Sequence, residues 1–202
     1  MAGDRYHHGA LHQAILDAAI EEARRSGPQG VGVRALAKIV GVSPAAVYRH
    51  VPSIDALLAE VAQIARERLA AKLTEQRDLT PPRRTRRATA QARFGAIGRG
   101  YIDFALSEPR LFDTAFGPTT VCLERPDDPS PWQVLVDGIG ELVTAGVVPA
   151  DMADRAAMIA WAGVHGLSTI LTASVQPTES SVDLGHLAAI DTVIAGIVRA
   201  IR

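Results

Sequence analysis

The chain has 202 residues, of which 48% are apolar and 21% charged, and its formal net charge is −1. That composition excludes disorder throughout and leaves room for one large domain or two small ones, with a real core. The single cysteine, Cys122, excludes an internal disulfide and a cysteine-based zinc site. The first residues, MAGDRYHHGALHQ, contain no apolar core of signal-peptide length, so a cytoplasmic protein is expected. No charge lies between Arg155 and Glu179. That stretch still carries His165, several hydroxyls and two glycines, and it reads as a buried helix rather than a membrane span.

Ala, Leu, Arg and Glu dominate and no alternating strand pattern occurs, so an all-α fold is expected. A first helix spans roughly Gly9 to Ser26, with Leu11, Ile15, Ala18 and Ala19 on its apolar face and Gly27-Pro28 as its stop. A short helix from Val33 to Val40 follows, and Gly41 breaks it. Ser43 is a good N-cap and Pro44 a good first residue for a third helix ending at His50. Pro52 closes that helix, and Ser53 caps a long one from Ile54 to about Arg77. Thr80-Pro81-Pro82 is the clearest punctuation. The exposed-looking run Arg83, Arg84, Arg86 and Arg87 comes next. Further helices are expected near Thr85–Leu106, from Pro109, and near Trp132–Ala145, Ala150–Ser174 and Val182–Ile201. Gly117 to Pro131 reads as loop.

Charge is unevenly spread. From Ala23 to Ile54 the bases Arg24, Arg25, Arg34, Lys38 and Arg49 stand without a single acid, so the rest of the chain is net acidic. Within this segment, helix, glycine turn and short helix form a helix-turn-helix pattern. Ala37 is small enough for close crossing, and Gly41 accepts the positive φ of a tight turn. Leu36, Val40, Val42 and Val47 would wedge the two helices. The third helix would then project into a DNA major groove, about 12 Å wide. Ser43, Pro44, Ala45, Ala46, Tyr48, Arg49 and His50 are its candidate DNA contacts, with Arg34 and Lys38 placed for phosphates. A plain helical corner would share the turn. It would not call for Tyr-Arg-His or the local lack of acids.

The stretch from Leu11 to Val61 resembles the N-terminal DNA-binding domain of the tetracycline-repressor (TetR) family. The resemblance is carried by Ala14-Ile-Leu-Asp-Ala-Ala19, Gly30-Val-Gly-Val-Arg-Ala-Leu-Ala37, Gly41-Val-Ser43 and Val47-Tyr-Arg-His-Val-Pro-Ser53 with Ala56-Leu-Leu58. It implies that Tyr48 and His50 contact phosphates and that Ser43 to Arg49 face the groove. Gly32 stands where many members carry Ser or Thr, and Ile54 where many carry Lys. Phe104 to Phe112, and Trp161-Ala-Gly-Val-His-Gly166, resemble a C-terminal subclass of the family with a Trp-His-Gly signature. The implied organisation is a three-helix DNA-binding domain over 9–61, then a larger helical ligand-binding and dimerisation domain over 62–202. The implied partners are a double-stranded DNA operator, a small-molecule effector and a second copy of the chain.

Aromatic residues make up only 4%, and several of them, with Met158 and His165, could converge on one cavity. Tyr101, Phe104, Phe112, Phe116, Trp132, Met158, Trp161 and His165 are the candidate ligand contacts. Each could equally be core, and His165 could be satisfied by a carbonyl or hydroxyl. Leu187, Ile190, Ile194, Ile197 and Ile201 repeat at 3-4-3-4 spacing, a candidate dimer seam. His7, His8 and His12 lack partner carboxylates at a ligand spacing, so neither metal nor cofactor is expected. The leading function is a ligand-responsive repressor. A helical enzyme using His165 with Asp151 or Asp154, and a protein-interaction module, are the alternatives.

Overall fold

The computed structural model describes residues 3–117 and 130–174, with Thr192, Ala195, Gly196 and Arg199 beyond them; side chains are described from Ala10 onward. The described residues are helical and contain no strand. The helices are α1 (Gly3–Ser26), α2 (Val33–Val40), α3 (Pro44–His50), α4 (Ile54–Leu79), α5 (Arg86–Ser107), α6 (Pro109–Phe116), α7 (Pro131–Thr144) and α8 (Ala153–Ser174). The expected seam Leu187, Ile190, Ile194, Ile197 and Ile201 lies outside the described residues, as does most of the expected 117–131 loop.

The chain forms two compact units. One comprises 1–66 with 108–128, the other 67–107 with 129–202. The division therefore falls within α4, a few residues beyond the expected boundary at 61/62. In addition, α6 belongs with the first unit rather than the second.

In the first unit α1 buries Ile15, Leu16, Ala19 and Ala23 as one stripe, against α2, α3 and α6. Leu57, Val61, Ala62 and Ala65 line the buried side of α4. Two long-range polar links tie α6 into this unit. Arg24 of α1 donates two hydrogen bonds to the carboxylate of Glu108, at 2.6 and 2.9 Å. Arg66, only 5% exposed, donates from Nη1 to the Ala115 carbonyl at 2.9 Å and from Nη2 to Gln63 at 2.9 Å. A guanidinium can be buried in this way because its donors find fixed acceptors.

In the second unit α5, α7 and α8 pack mutually. Phe94, Leu135, Ile139, Leu142, Ala156, Ala157 and Ala160 make its main core. At Gly138 the two helices approach closely. An added Cβ would stand 2.8 Å from Ile97 Cδ1 and 3.2 Å from Phe94. The helix α8 is not buried throughout, contrary to expectation. Ala156, Ala157, Ala160, Val164 and Ser168 face inward, while Met158 and Ile170 are 59% and 65% exposed. The described neighbours α5 and α7 cover one face only. The stretch Ala150–Ala173 is long and apolar enough to cross a membrane by length and composition. Its inward face packs on α5 and α7.

Candidate DNA interface and candidate effector cavity

The interface is built from backbone signals first. Gly41 ends α2 in the left-handed region, at φ 76° and ψ 32°, and its N–H bonds back to the Ala37 carbonyl. Val42 N–H reaches the same carbonyl at 2.9 Å, which closes the turn tightly. Ser43 Oγ then accepts from the Ala46 N–H at 3.2 Å, Pro44 occupies the first turn of α3, and Ser53 Oγ accepts from Ala56 N–H at 3.0 Å to start α4. Leu36 and Val47 are completely buried, and Val51 is nearly so. Val40 and Val42, expected in the same wedge, are half-buried.

With its inner face fixed in this way, α3 turns the rest outward. Ser43, Pro44, Ala45 and Arg49 are exposed, Tyr48 is 61% exposed, and Ala46 and His50 are half-buried. Arg34 and Lys38 are exposed on α2. All nine expected contacts thus sit on one short helix-turn-helix whose two helices contain no acid. Ile39, also exposed at 56%, was not anticipated. Nor was the pairing of His12, whose ring contacts Glu60 Oε2 at 3.0 Å and the His50 carbonyl at 3.2 Å. Forty-eight residues separate His12 from Glu60, so no local spacing announces them. Among the described residues no cluster of three or more metal-ligating side chains occurs.

The second unit holds a small, partly open apolar cavity of about 20 Å³, room for roughly one water. Its walls are Leu73 of α4, Phe94, Ile97 and Tyr101 of α5, Pro131 and Leu135 of α7, and Ala160, Trp161 and Val164 of α8. Of the expected ligand contacts, Tyr101 and Trp161 line it. His165 joins them at one remove. Its ring stacks on Trp161 with centroids 5.8 Å apart and 7° between planes, and its Nδ1 is 2.9 Å from Tyr101 Oη. Trp132 meets Trp161 edge-on at 5.8 Å. Phe104 is buried but lines no part of the cavity, and Met158 is exposed. Phe112 and Phe116 pair with each other, centroids 5.1 Å apart, in the first unit. Sequence reasoning overlooked Phe94 and Ile97, although with Tyr101 they sit at i, i+3 and i+7, one helical stripe.

Both polar groups of this aromatic cluster are held neutral. Burial raises the Tyr101 phenol above its usual range and lowers the His165 imidazole below its own. The phenol O–H donates to Nδ1 when the imidazole carries its proton on Nε2. A lowered imidazole value means that the folded chain binds this proton less tightly than the unfolded chain does. The stability involved is fully present above about pH 6.5 and is lost as pH falls through and below that value. Thermal melting between pH 7.5 and 5 is therefore expected to decline less steeply for His165→Gln than for the wild type. Equal slopes would show that His165 is not held neutral by its surroundings.

A family model described as "Bacterial regulatory proteins, tetR family" matches residues 15–61, and one described as "Tetracyclin repressor-like, C-terminal domain" matches residues 94–190. The uncharacterized HTH-type transcriptional regulator YobS of Bacillus subtilis (strain 168) is 31% identical over 107 residues. That match spans 53% of this chain and about half, 52%, of the relative. A solved protein of unknown function from Rhodococcus sp. RHA1 is similar at 28% identity and a TM-score of 0.68, covering 97% of this chain and 95% of its own. A TetR variant from Acinetobacter baumannii AYE, solved in complex with minocycline, shares the fold at 21% identity and a TM-score of 0.61, covering 93% and 96%. The two matched stretches take in the helix-turn-helix and most of the second unit, and the chain belongs to the tetR family of bacterial regulatory proteins.

Proposed function

We propose that the chain is a cytoplasmic, ligand-responsive transcriptional repressor. It binds a palindromic operator as a homodimer, releases it when a small molecule binds the C-terminal half, and is not an enzyme. The observation that carries this reading is α3. It is a capped helix with a buried inner face, an exposed Tyr48-Arg49 pair and no acid in its own sequence. Residues 9–61 form the DNA-binding part and residues 62–202 the ligand-binding and dimerising part. The motif Trp161-Ala-Gly-Val-His165-Gly166 favours the Trp-His-Gly subclass.

The effector belongs in the cavity beside Tyr101 and Trp161. Every lining residue is apolar or aromatic and none is charged, and Tyr101 and His165 stay neutral. These features suit an uncharged, largely apolar molecule with one hydrogen-bonding group. A drug-sized ligand needs a few hundred Å³, so the wall helices must part to admit it. An effector that moves α5 and α8 can favour a state of different geometry, and a shift of that kind is what release of DNA requires. The tetR-fold neighbour with minocycline supports a small-molecule site without naming this one. Exposed Met158 and Ile170 on α8 support a partner chain.

The test is selection from a random duplex library with the full-length chain. The expected product is an inverted repeat whose half-sites lie one or more helical turns apart, about 34–36 Å per turn. Recovery of no enriched sequence would overturn the reading.

A further inference from the structure

His12 lies between two acceptors. Its Nδ1 is 3.2 Å from the carbonyl oxygen of His50, the last residue of α3. Its Nε2 is 3.0 Å from Oε2 of Glu60 on α4. A carbonyl can only accept a hydrogen bond, and so can an ionised carboxylate. A neutral imidazole has one N–H and cannot donate to both. The arrangement is complete only when the imidazole and the carboxyl group together hold two protons. Either an imidazolium donates twice, or a neutral ring donates from Nδ1 and accepts from a protonated Glu60. When the pair holds one proton, one link opens.

The place of these links gives them a consequence. α3 has seven residues, and its C-terminal carbonyls carry the negative end of a helix dipole. An imidazolium bonded to the final carbonyl complements that end and ties it to α1 and α4 at once. The other charged groups on the surrounding helices are differently placed. Asp17 of α1 accepts from Gln13. Glu21 and Glu22 are engaged by Arg24 and Arg25. Arg34 and Lys38 of α2, Arg49 of α3 and Asp55 of α4 are exposed. His50, half-buried, offers its backbone oxygen. Among the described residues, Glu60 is the ionisable side chain bonded to the His12 ring.

We propose that His12 is a positioning residue for the DNA-reading helix, and that its hold on the end of α3 is made by a proton shared with Glu60. The word "reading" rests on the DNA-binding function proposed above; the hold itself does not. The pair is about one-third exposed, at 33% and 36%, so its effect is modest. Raising the pH from 6 to 8 should loosen the end of α3 by about fivefold or less.

Two variants separate this role from simple packing. In Glu60→Gln the amide N–H donates to Nε2 of a neutral His12, whose Nδ1–H still reaches the His50 carbonyl. Both links then form without the extra proton. In His12→Ala both are gone. Amide hydrogen exchange of the Val47 to Val51 segment, corrected for its intrinsic pH dependence, is measured at pH 6 and 8 in the full-length chain. Protection should fall about three- to fivefold in the wild type. It should stay high at both values in Glu60→Gln and low at both in His12→Ala. The affinity of each variant for the duplex recovered by selection should follow the same pattern. Equal pH dependence of protection in wild type and Glu60→Gln, with both folded by circular dichroism, would overturn the proposal. A protection pattern as expected, with no DNA bound, would instead count against the DNA-binding reading alone.

Discussion

A Tyr48→Ala/His50→Ala variant is expected to bind the selected duplex at least about tenfold more weakly than the wild type while keeping its helical spectrum. In the proposed function each side chain would contact a phosphate from the helix that would face the groove. Each such contact contributes roughly 1–2 kcal/mol, and about 1.4 kcal/mol is a factor of ten in affinity. Tyr48 is 61% exposed, so its ring contributes little to the core of the first unit. The contact that His12 makes at position 50 goes to the backbone oxygen, and alanine retains it. Loss of binding therefore reports on the interface and not on folding. Fluorescence anisotropy against the selected duplex provides the measurement. Unchanged affinity in a folded variant would remove α3 from the interface.

The helix-turn-helix was legible because every signal that makes it is local. Gly41 ends one helix through its own φ, Ser43 caps the next through its own oxygen, and both lie within a few residues of the elements they define. The bounds Val33–Val40 and Pro44–His50 could be read directly from the sequence for that reason. The membership of α6 in the first unit could not. It rests on Arg24 with Glu108 and on Arg66 with Ala115, partners 84 and 49 residues apart. Nothing in the periodicity of α6 says which core its apolar face will meet.

The cavity was legible in part, for a related reason. Tyr101 and Trp161 stood out by the scarcity of aromatic residues, and the structure brings their rings to 5.4 Å. Met158 was grouped with them because it stands at i, i+3 and i+7 spacing with Trp161 and His165. It stands two residues from both Ala156 and Ala160, about 200° around the helix from each. Those alanines face inward, so Met158 faces out. Helical phase, once the buried alanines are known, decides what composition could not.

Leu36→Ala is expected to have the largest effect on stability, about 2–5 kcal/mol. Leu36 has no exposed surface, and it sits at the middle of an eight-residue helix that packs on both α1 and α3. Such short helices have little stability of their own and depend on packing of this kind. The alanine would leave a cavity between α2 and its neighbours, which the fixed turn at Gly41 prevents from closing fully. A loss of that size in a unit of this length lowers the melting temperature by roughly 10 °C or more. The consequence for DNA differs in kind from that of the Tyr48/His50 variant. Leu36 touches no groove, so below its lowered melting transition the variant should bind the selected duplex almost as well as the wild type. Above that transition it should lose binding together with its helical signal. Val40→Ala, a smaller truncation at a half-buried position of the same helix, should cost well under half as much. Melting followed by circular dichroism, with binding measured at the same temperatures, checks both parts. A melting temperature within a degree or two of the wild type would mean that the wedge between α2 and α3 does not depend on Leu36.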